Sequence, residues 1–218
     1  MRGRDDAKEW ILAMLSRCGI CSTEQAGEVY SYRKDPTLRA RNLLRDLREA
    51  GYIESRPRAR GSHVHRLTTE VRRAARIRPI RWDSLLDHKL AITDLYLALS
   101  APAQFRREYR HAFRAGGRVA QIFPDAFSFL EGRPTYWEVQ RTRIETNRWS
   151  VKRRLYEIYF ASDAWMDRFD KRPQVIVWQA DDQQPSTIGR GNGYELIVTR
   201  DLREVIVDGL DWRSQPHG

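Results

Sequence analysis

The chain has 218 residues, 41% of them hydrophobic, and no apolar run near the ~20 residues a membrane-spanning helix needs. Its charged start, Met1 to Lys8, leads into no apolar signal core, so the expectation is a cytoplasmic protein with no membrane partner. The net charge of +10 is uneven: residues 1–82 hold 19 Lys and Arg against 10 Asp and Glu, whereas residues 83–218 hold 20 against 19.

A basic module joined to a nearly neutral one is the footprint of nucleic-acid binding. Arg outnumbers Lys 34 to 5. Its planar fork suits phosphate and guanine, although a GC-rich genome enriches Arg too.

Asp6 to Arg17 predicts an amphipathic helix, with Trp10, Ile11, Met14 and Leu15 at helical spacing and Gly19 as its stop. Cys18 and Cys21 form Cys-x-x-Cys, but no second Cys/His pair follows at finger spacing and no strand leads into the pair, so they are expected to be small buried residues. Ser22 with Gln25 three residues on is a capping box opening a short second helix. Pro36 suits the first turn of a third helix, which runs to Ala50 and stops at Gly51. Ala40, Leu43, Leu44 and Leu47 form its buried stripe, leaving Arg39, Arg41, Asn42, Arg45 and Arg48 on the opposite face or its flanks.

Tyr52 to Arg56, a basic turn and His63 to Thr68 predict strand, turn, strand. Three helices closed by a basic hairpin predict a winged helix-turn-helix. The string Leu43-Leu44-Arg45-Asp46-Leu47-Arg48-Glu49-Ala50-Gly51-Tyr52-Ile53 resembles the recognition-helix end of bacterial winged-helix regulators, and Leu67-Thr68 resembles the close of their wing. Such a helix fits the major groove. Arg56, Arg58 and Arg60 on the hairpin are the expected backbone contacts, and His63 is a further expected DNA-binding residue. Thr69 to Arg81 reads as a basic connector, helical at first, with a boundary at Pro79.

Further on, Asp87 to Ser100 predicts a helix. Strands follow at Phe105–Arg110, Gln121–Leu130 and Thr135–Arg141, then a helix at Glu145–Ala161 and two more strands at Pro173–Trp178 and Tyr194–Val198. Residues 180–193 read as a polar, glycine-rich loop.

Pro124-Asp125, a hairpin turn and Glu138-x-Gln140 place two carboxylates on adjacent strands, where they can hold Mg²⁺ through oxygen. This pattern resembles the PD-(D/E)XK nuclease superfamily, in which the Asp and Glu hold the metal and a Lys two residues after the Glu orients water. Gln140 stands where that Lys would be, and Lys152 on the next helix is the replacement the resemblance implies. Glu108 is the expected third metal carboxylate beside Asp125 and Glu138.

The order of a winged helix, His88-x-Leu90-Ala91-Ile92, an isolated Glu, Pro-Asp, Glu-x-Gln and a Lys-x-x-x-Tyr helix resembles the replication-relaxation family of plasmids and mobile elements over roughly residues 10–180. The expected class is α+β. It comprises a winged helix-turn-helix over residues 1–70, a basic connector over 71–84, and a PD-(D/E)XK nuclease-like domain with a central mixed sheet over 85–212. The expected function is sequence-specific binding of double-stranded DNA, as an accessory of replication, relaxation or mobilisation or as a transcriptional regulator. A homodimer and relaxase or replication proteins are the expected protein partners. The rival reading is a Mg²⁺-dependent endonuclease or nickase in which Asp125, Glu138, Gln140 and Lys152 are catalytic; a weaker third is a protein-binding adaptor.

Overall fold

The computed structural model describes residues 4–58, 62–83, 85–141, 146–179 and 193–202. It divides into two compact units, Met1–Ala101 and Pro102–Gly218.

The first unit opens with α1 (Arg4–Cys18) and a two-residue strand, β1 (Cys21–Ser22). The capping box at Ser22 forms as its spacing predicts: Ser22 Oγ accepts from Gln25 N at 3.1 Å, and Ser22 N donates to Gln25 Oε1 at 2.9 Å. It starts α2 (Thr23–Gly27), which tightens into a 3₁₀ turn over Glu28–Tyr30. Next come α3 (Pro36–Glu49), β2 (Ile53–Pro57), β3 (His63–Leu67), α4 (Thr69–Ala74) and α5 (Leu86–Ala98). The stripe of α3 is buried as expected at Ala40, Leu43, Leu44 and Leu47. Fully burying each leucine contributes roughly 1.5–3 kcal/mol.

The strands form one antiparallel sheet in the order β1-β3-β2. Strand β1 has no counterpart in the sequence reading, because two residues carry no alternation. Cys18 and Cys21 are buried and free, and burial pushes the Cys21 thiol well above its usual range.

The sequence reading places α5 in the second domain. In the structure it belongs to the first unit. Thr93 Oγ1 donates to Ile20 O at 2.8 Å, and Gln25 Nε2 donates to Leu90 O at 2.9 Å and Asp94 Oδ1 at 2.5 Å. Ile20, Val64, Ile80 and Leu90 form one core cluster, with Trp82 and Leu86 packed against it. The connector residues Ile80 and Trp82 are therefore part of a core, not of a solvated linker.

His65 on β3 is buried between two hydroxyls: Nε2 lies 3.0 Å from Thr23 Oγ1 and Nδ1 2.8 Å from Ser55 Oγ. Burial, then the nearby His63 and Arg48, lowers its pKa to about 4. In the unfolded chain it takes up a proton near 6.5. Its contribution to stability is therefore complete above pH 6.5 and is lost as the pH falls toward 4, up to about 3 kcal/mol. Urea titrations should show the midpoint falling over that window, and His65→Asn should flatten the fall. An unchanged pH profile in the variant would refute the assignment.

The second unit contains β4 (Arg106–Arg107), β5 (His111–Ala115), β6 (Arg118–Ile122), β7 (Ala126–Leu130), β8 (Arg133–Gln140), α6 (Thr146–Ala161), β9 (Gln174–Gln179) and β10 (Leu196–Thr199). Five of these strands form a mixed sheet in the order β10-β9-β8-β7-β4. Pairs β10–β9 and β9–β8 are parallel, and β8–β7 and β7–β4 antiparallel. Its core is aromatic: Phe127, Tyr136, Tyr156, Tyr159 and Phe160 cluster with Val175 and Tyr194. Trp137 is fully buried and donates from Nε1 to Ser128 Oγ at 2.8 Å.

Two expected strands change. The strand at 105–110 shortens to Arg106–Arg107, since Glu108 turns to φ 47° and leaves the extended region. The stretch 121–130 is broken at Phe123–Asp125, and Arg118–Ile122 instead pairs with His111–Ala115 as a separate hairpin. Residues 180–192 of the expected loop and 203–212 of the expected domain lie outside the described residues.

Candidate functional site

Two places carry the candidate residues, one in each unit. In the first unit, α3 exposes Arg39, Arg41, Asn42, Arg45 and Arg48 opposite its buried stripe. Asp35 precedes the helix in the left-handed region at φ 55°. Arg45 Nε is 3.8 Å from Asp46, an exposed pair that ties it down weakly.

The hairpin β2–β3 divides the remaining candidates. Arg56 is exposed and sits over the Trp82 ring at 5.1 Å. Arg58 is exposed, but its Nη2 is held 2.5 Å from Asp87 Oδ1. His63 is exposed and stacks on His65 with centroids 6.4 Å apart. Arg60 lies outside the described residues. Arg66 was no candidate: it pairs with Glu54 at 2.7 Å and packs over Trp82 at 4.5 Å, which makes it a brace of the hairpin.

In the second unit, strand pairing sets the site. Ala126 lies opposite Trp137, so one step on Asp125 comes opposite Glu138. Asp125 Oδ2 accepts from Val139 N at 2.9 Å, which fixes the carboxylate against β8. Glu138 is only 4% exposed, and both of its oxygens are engaged. Oε1 accepts from the Tyr156 hydroxyl at 2.8 Å, and Oε2 accepts from Lys152 Nζ. Lys152 Nζ also lies 3.5 Å from Asp125 Oδ1. Lys152 and Tyr156 stand four residues apart on α6, so one helix face presents both.

Burial pushes the Glu138 carboxyl up to about 8; Lys152 opposes that push and Asp125 adds to it. Burial disfavours the Lys152 ammonium, but Glu138 and Asp125 outweigh it and raise its pKa above the usual lysine value. Burial and Glu138 raise the Tyr156 hydroxyl well above its usual range, so it donates as a neutral phenol.

The structure thus brings together Asp125, Glu138 and Lys152. Gln140 ends β8 half-buried on the same face of the strand as Glu138. Glu108 does not join them. Its backbone N donates to Asp125 O at 2.6 Å, but its exposed carboxylate pairs with Arg107 at 3.1 Å. Among the described residues no three His, Cys, Asp or Glu side chains gather as a metal cluster. The donor set suits a divalent ion held by two carboxylates and completed by water or phosphate oxygens. It does not suit the expected site of three carboxylates. The role of Tyr156 was missed; its signal was the Lys-x-x-x-Tyr spacing.

A family model described as replication-relaxation matches residues 12–175. The chain belongs to the replication-relaxation family. Membership points to a role related to replication or relaxation of mobile elements. The matched span takes in α3, the hairpin β2–β3, and Asp125, Glu138, Lys152 and Tyr156. No curated protein matches the chain in sequence. Among solved structures, protein VC1899 from Vibrio cholerae is similar at 13% identity and a TM-score of 0.33, over 78% of this chain and 41% of that one. Among the described residues no helix is long and apolar enough to cross a membrane.

Proposed function

We propose that this replication-relaxation protein is a sequence-specific duplex-DNA-binding protein, serving replication, relaxation or mobilisation of a mobile element or controlling its genes. The observation that carries the reading is the exposed face of α3, where four arginines and Asn42 stand opposite a buried leucine stripe. Helices α1–α3 with the hairpin β2–β3 act as a winged helix-turn-helix, with α3 in the major groove and Arg56 on the backbone. The second unit acts as a PD-(D/E)XK-like scaffold.

The meeting of Asp125, Glu138 and Lys152 favours a second reading, a Mg²⁺-dependent DNA endonuclease or nickase. Asp125 and Glu138 would hold the ion, which supplies Lewis acidity toward a phosphodiester. Lys152 would leave its carboxylates and turn toward the phosphate, and Tyr156 would keep Glu138 oriented.

One assay separates the readings: supercoiled plasmid with Mg²⁺ or Mn²⁺ at low salt, run before and after removal of the protein. The binder retards the plasmid and returns it supercoiled. Nicking that disappears in both Asp125→Ala and Glu138→Ala would establish the enzyme instead. Failure to retard any duplex at low salt would refute both and leave a protein-binding adaptor.

A further inference from the structure

Strands β5 and β6 stand apart from the five-stranded sheet as a ribbon of their own. Ala115 pairs with Arg118, so Gly116 and Gly117 alone form the turn, at φ 56° and 76°. Positive φ at both central residues is the two-residue turn whose twist matches the strands, and glycine adopts it without steric cost. The ribbon is anchored at its base, where His111, Phe113 and Ile122 are buried. His111 Nδ1 lies 2.8 Å from the Tyr136 hydroxyl, and the Phe113 ring packs against Tyr159 at 5.1 Å.

The outer face is different. Arg114 lies opposite Val119, which is 71% exposed, on this face, and Arg118, opposite Ala115, stands exposed beside the turn on the other face. Arg110 at the base sits over the exposed Phe123 ring at 5.7 Å. Some arginines of this unit are held in ion pairs: Arg107 by Glu108, Arg133 by Glu195, and Arg153 and Arg154 by Glu157. Among the described residues Arg114 and Arg118 have no ion-pair partner. Asp163 and Asp167 line a cleft with Arg114 and Arg168.

We propose that the β5–β6 ribbon is a second duplex-DNA contact, its Gly116-Gly117 tip entering a groove and Arg114 and Arg118, on its two faces, reaching phosphates of either wall. A two-stranded ribbon fits a DNA groove. Unpaired arginines on both sides of a small glycine tip give the charge complement without bulk at the point of entry. This inference rests on the DNA-binding reading and adds to it a contact outside the first unit.

The test uses the full chain and a random-sequence duplex, with affinity measured against salt. In Arg114→Ala/Arg118→Ala, binding should fall about tenfold near 0.1 M salt, and the slope of log K against log salt should become shallower by roughly two, one per lost phosphate contact. Arg114→Lys/Arg118→Lys should recover most of both, since a phosphate contact needs charge more than shape. Thermal unfolding of both variants should match wild type, because neither side chain is buried. An unchanged salt slope in the alanine variant overturns the proposal while leaving the first unit as the DNA contact. A wild-type chain that binds no duplex overturns the underlying reading itself.

Discussion

Lys152→Met is expected to cost the second unit about 3 kcal/mol, measured by urea denaturation at pH 9, where the Glu138 carboxyl is ionised. Removing one partner of a buried ion pair typically costs 3–5 kcal/mol, because the other charge is left without compensation. The lower end applies here, since the Lys152 side chain is 32% exposed and water reaches it. Glu138 also has a way out. Its carboxyl is already pushed up to about 8 by burial, and without the ammonium that opposes this it enters the folded state with a proton.

That escape gives the loss a pH signature. A carboxyl whose folded pKa lies above its unfolded value near 4.5 destabilises increasingly as the pH rises from the unfolded value toward the folded one. The penalty of Lys152→Met should therefore be larger at pH 9 than at pH 6. Adding Glu138→Gln should recover most of it, since glutamine still accepts from the Tyr156 hydroxyl and carries no charge. If the single variant costs under 1 kcal/mol, or the double variant is no better than the single, the cluster does not hold α6 to β8.

The same cluster shows what a sequence can and cannot display. Asp125 and Glu138 were legible because strand pairing follows from one tight turn: once Glu131-Gly132 closes the β7–β8 hairpin, register puts the two carboxylates opposite each other. Lys152 was legible only as the lysine within reach on the following helix. Tyr156 was legible only as the tyrosine of the Lys-x-x-x-Tyr spacing; its role was not, because its hydroxyl matters through one hydrogen bond that periodicity cannot show. Glu108 was misplaced for a similar reason. Its neighbour Arg107 offers a closer partner, and a left-handed φ turns it out of the strand.

In the first unit the helices, capping box and buried stripe were readable because each depends on residues within a few positions. The membership of α5 was not. It rests on Gln25, Thr93 and Ile20, contacts spanning some seventy positions that no local pattern displays. The β5–β6 ribbon was readable in principle. Gly116-Gly117 between alternating residues is a strong hairpin signal, but the apolar run from Gln121 drew the strand in the wrong direction.

Arg45→Ala is expected to weaken binding to a selected duplex site by about 1–3 kcal/mol, roughly tenfold to a hundredfold, while random duplex loses much less. The asymmetry follows from its place on the proposed recognition helix. Arg45 lies mid-helix and 56% exposed, one turn beyond Arg41, and its contact with Asp46 is too long and too wet to hold it. A bidentate guanidinium on a guanine edge discriminates bases; one on a phosphate does not. The hairpin supplies the contrast within the same molecule. Arg56→Ala should lower cognate and random binding alike and reduce the salt slope by about one, as a phosphate contact does. Arg58→Ala should do less than either, because Asp87 already holds that guanidinium and binding DNA would first have to break the pair. Competition binding with selected and random duplexes at two salt concentrations measures all three. Equal losses for Arg45→Ala on both duplexes would put that residue on the backbone, and the specificity attributed to α3 would then have to come from Arg41, Asn42 or the shape of the DNA.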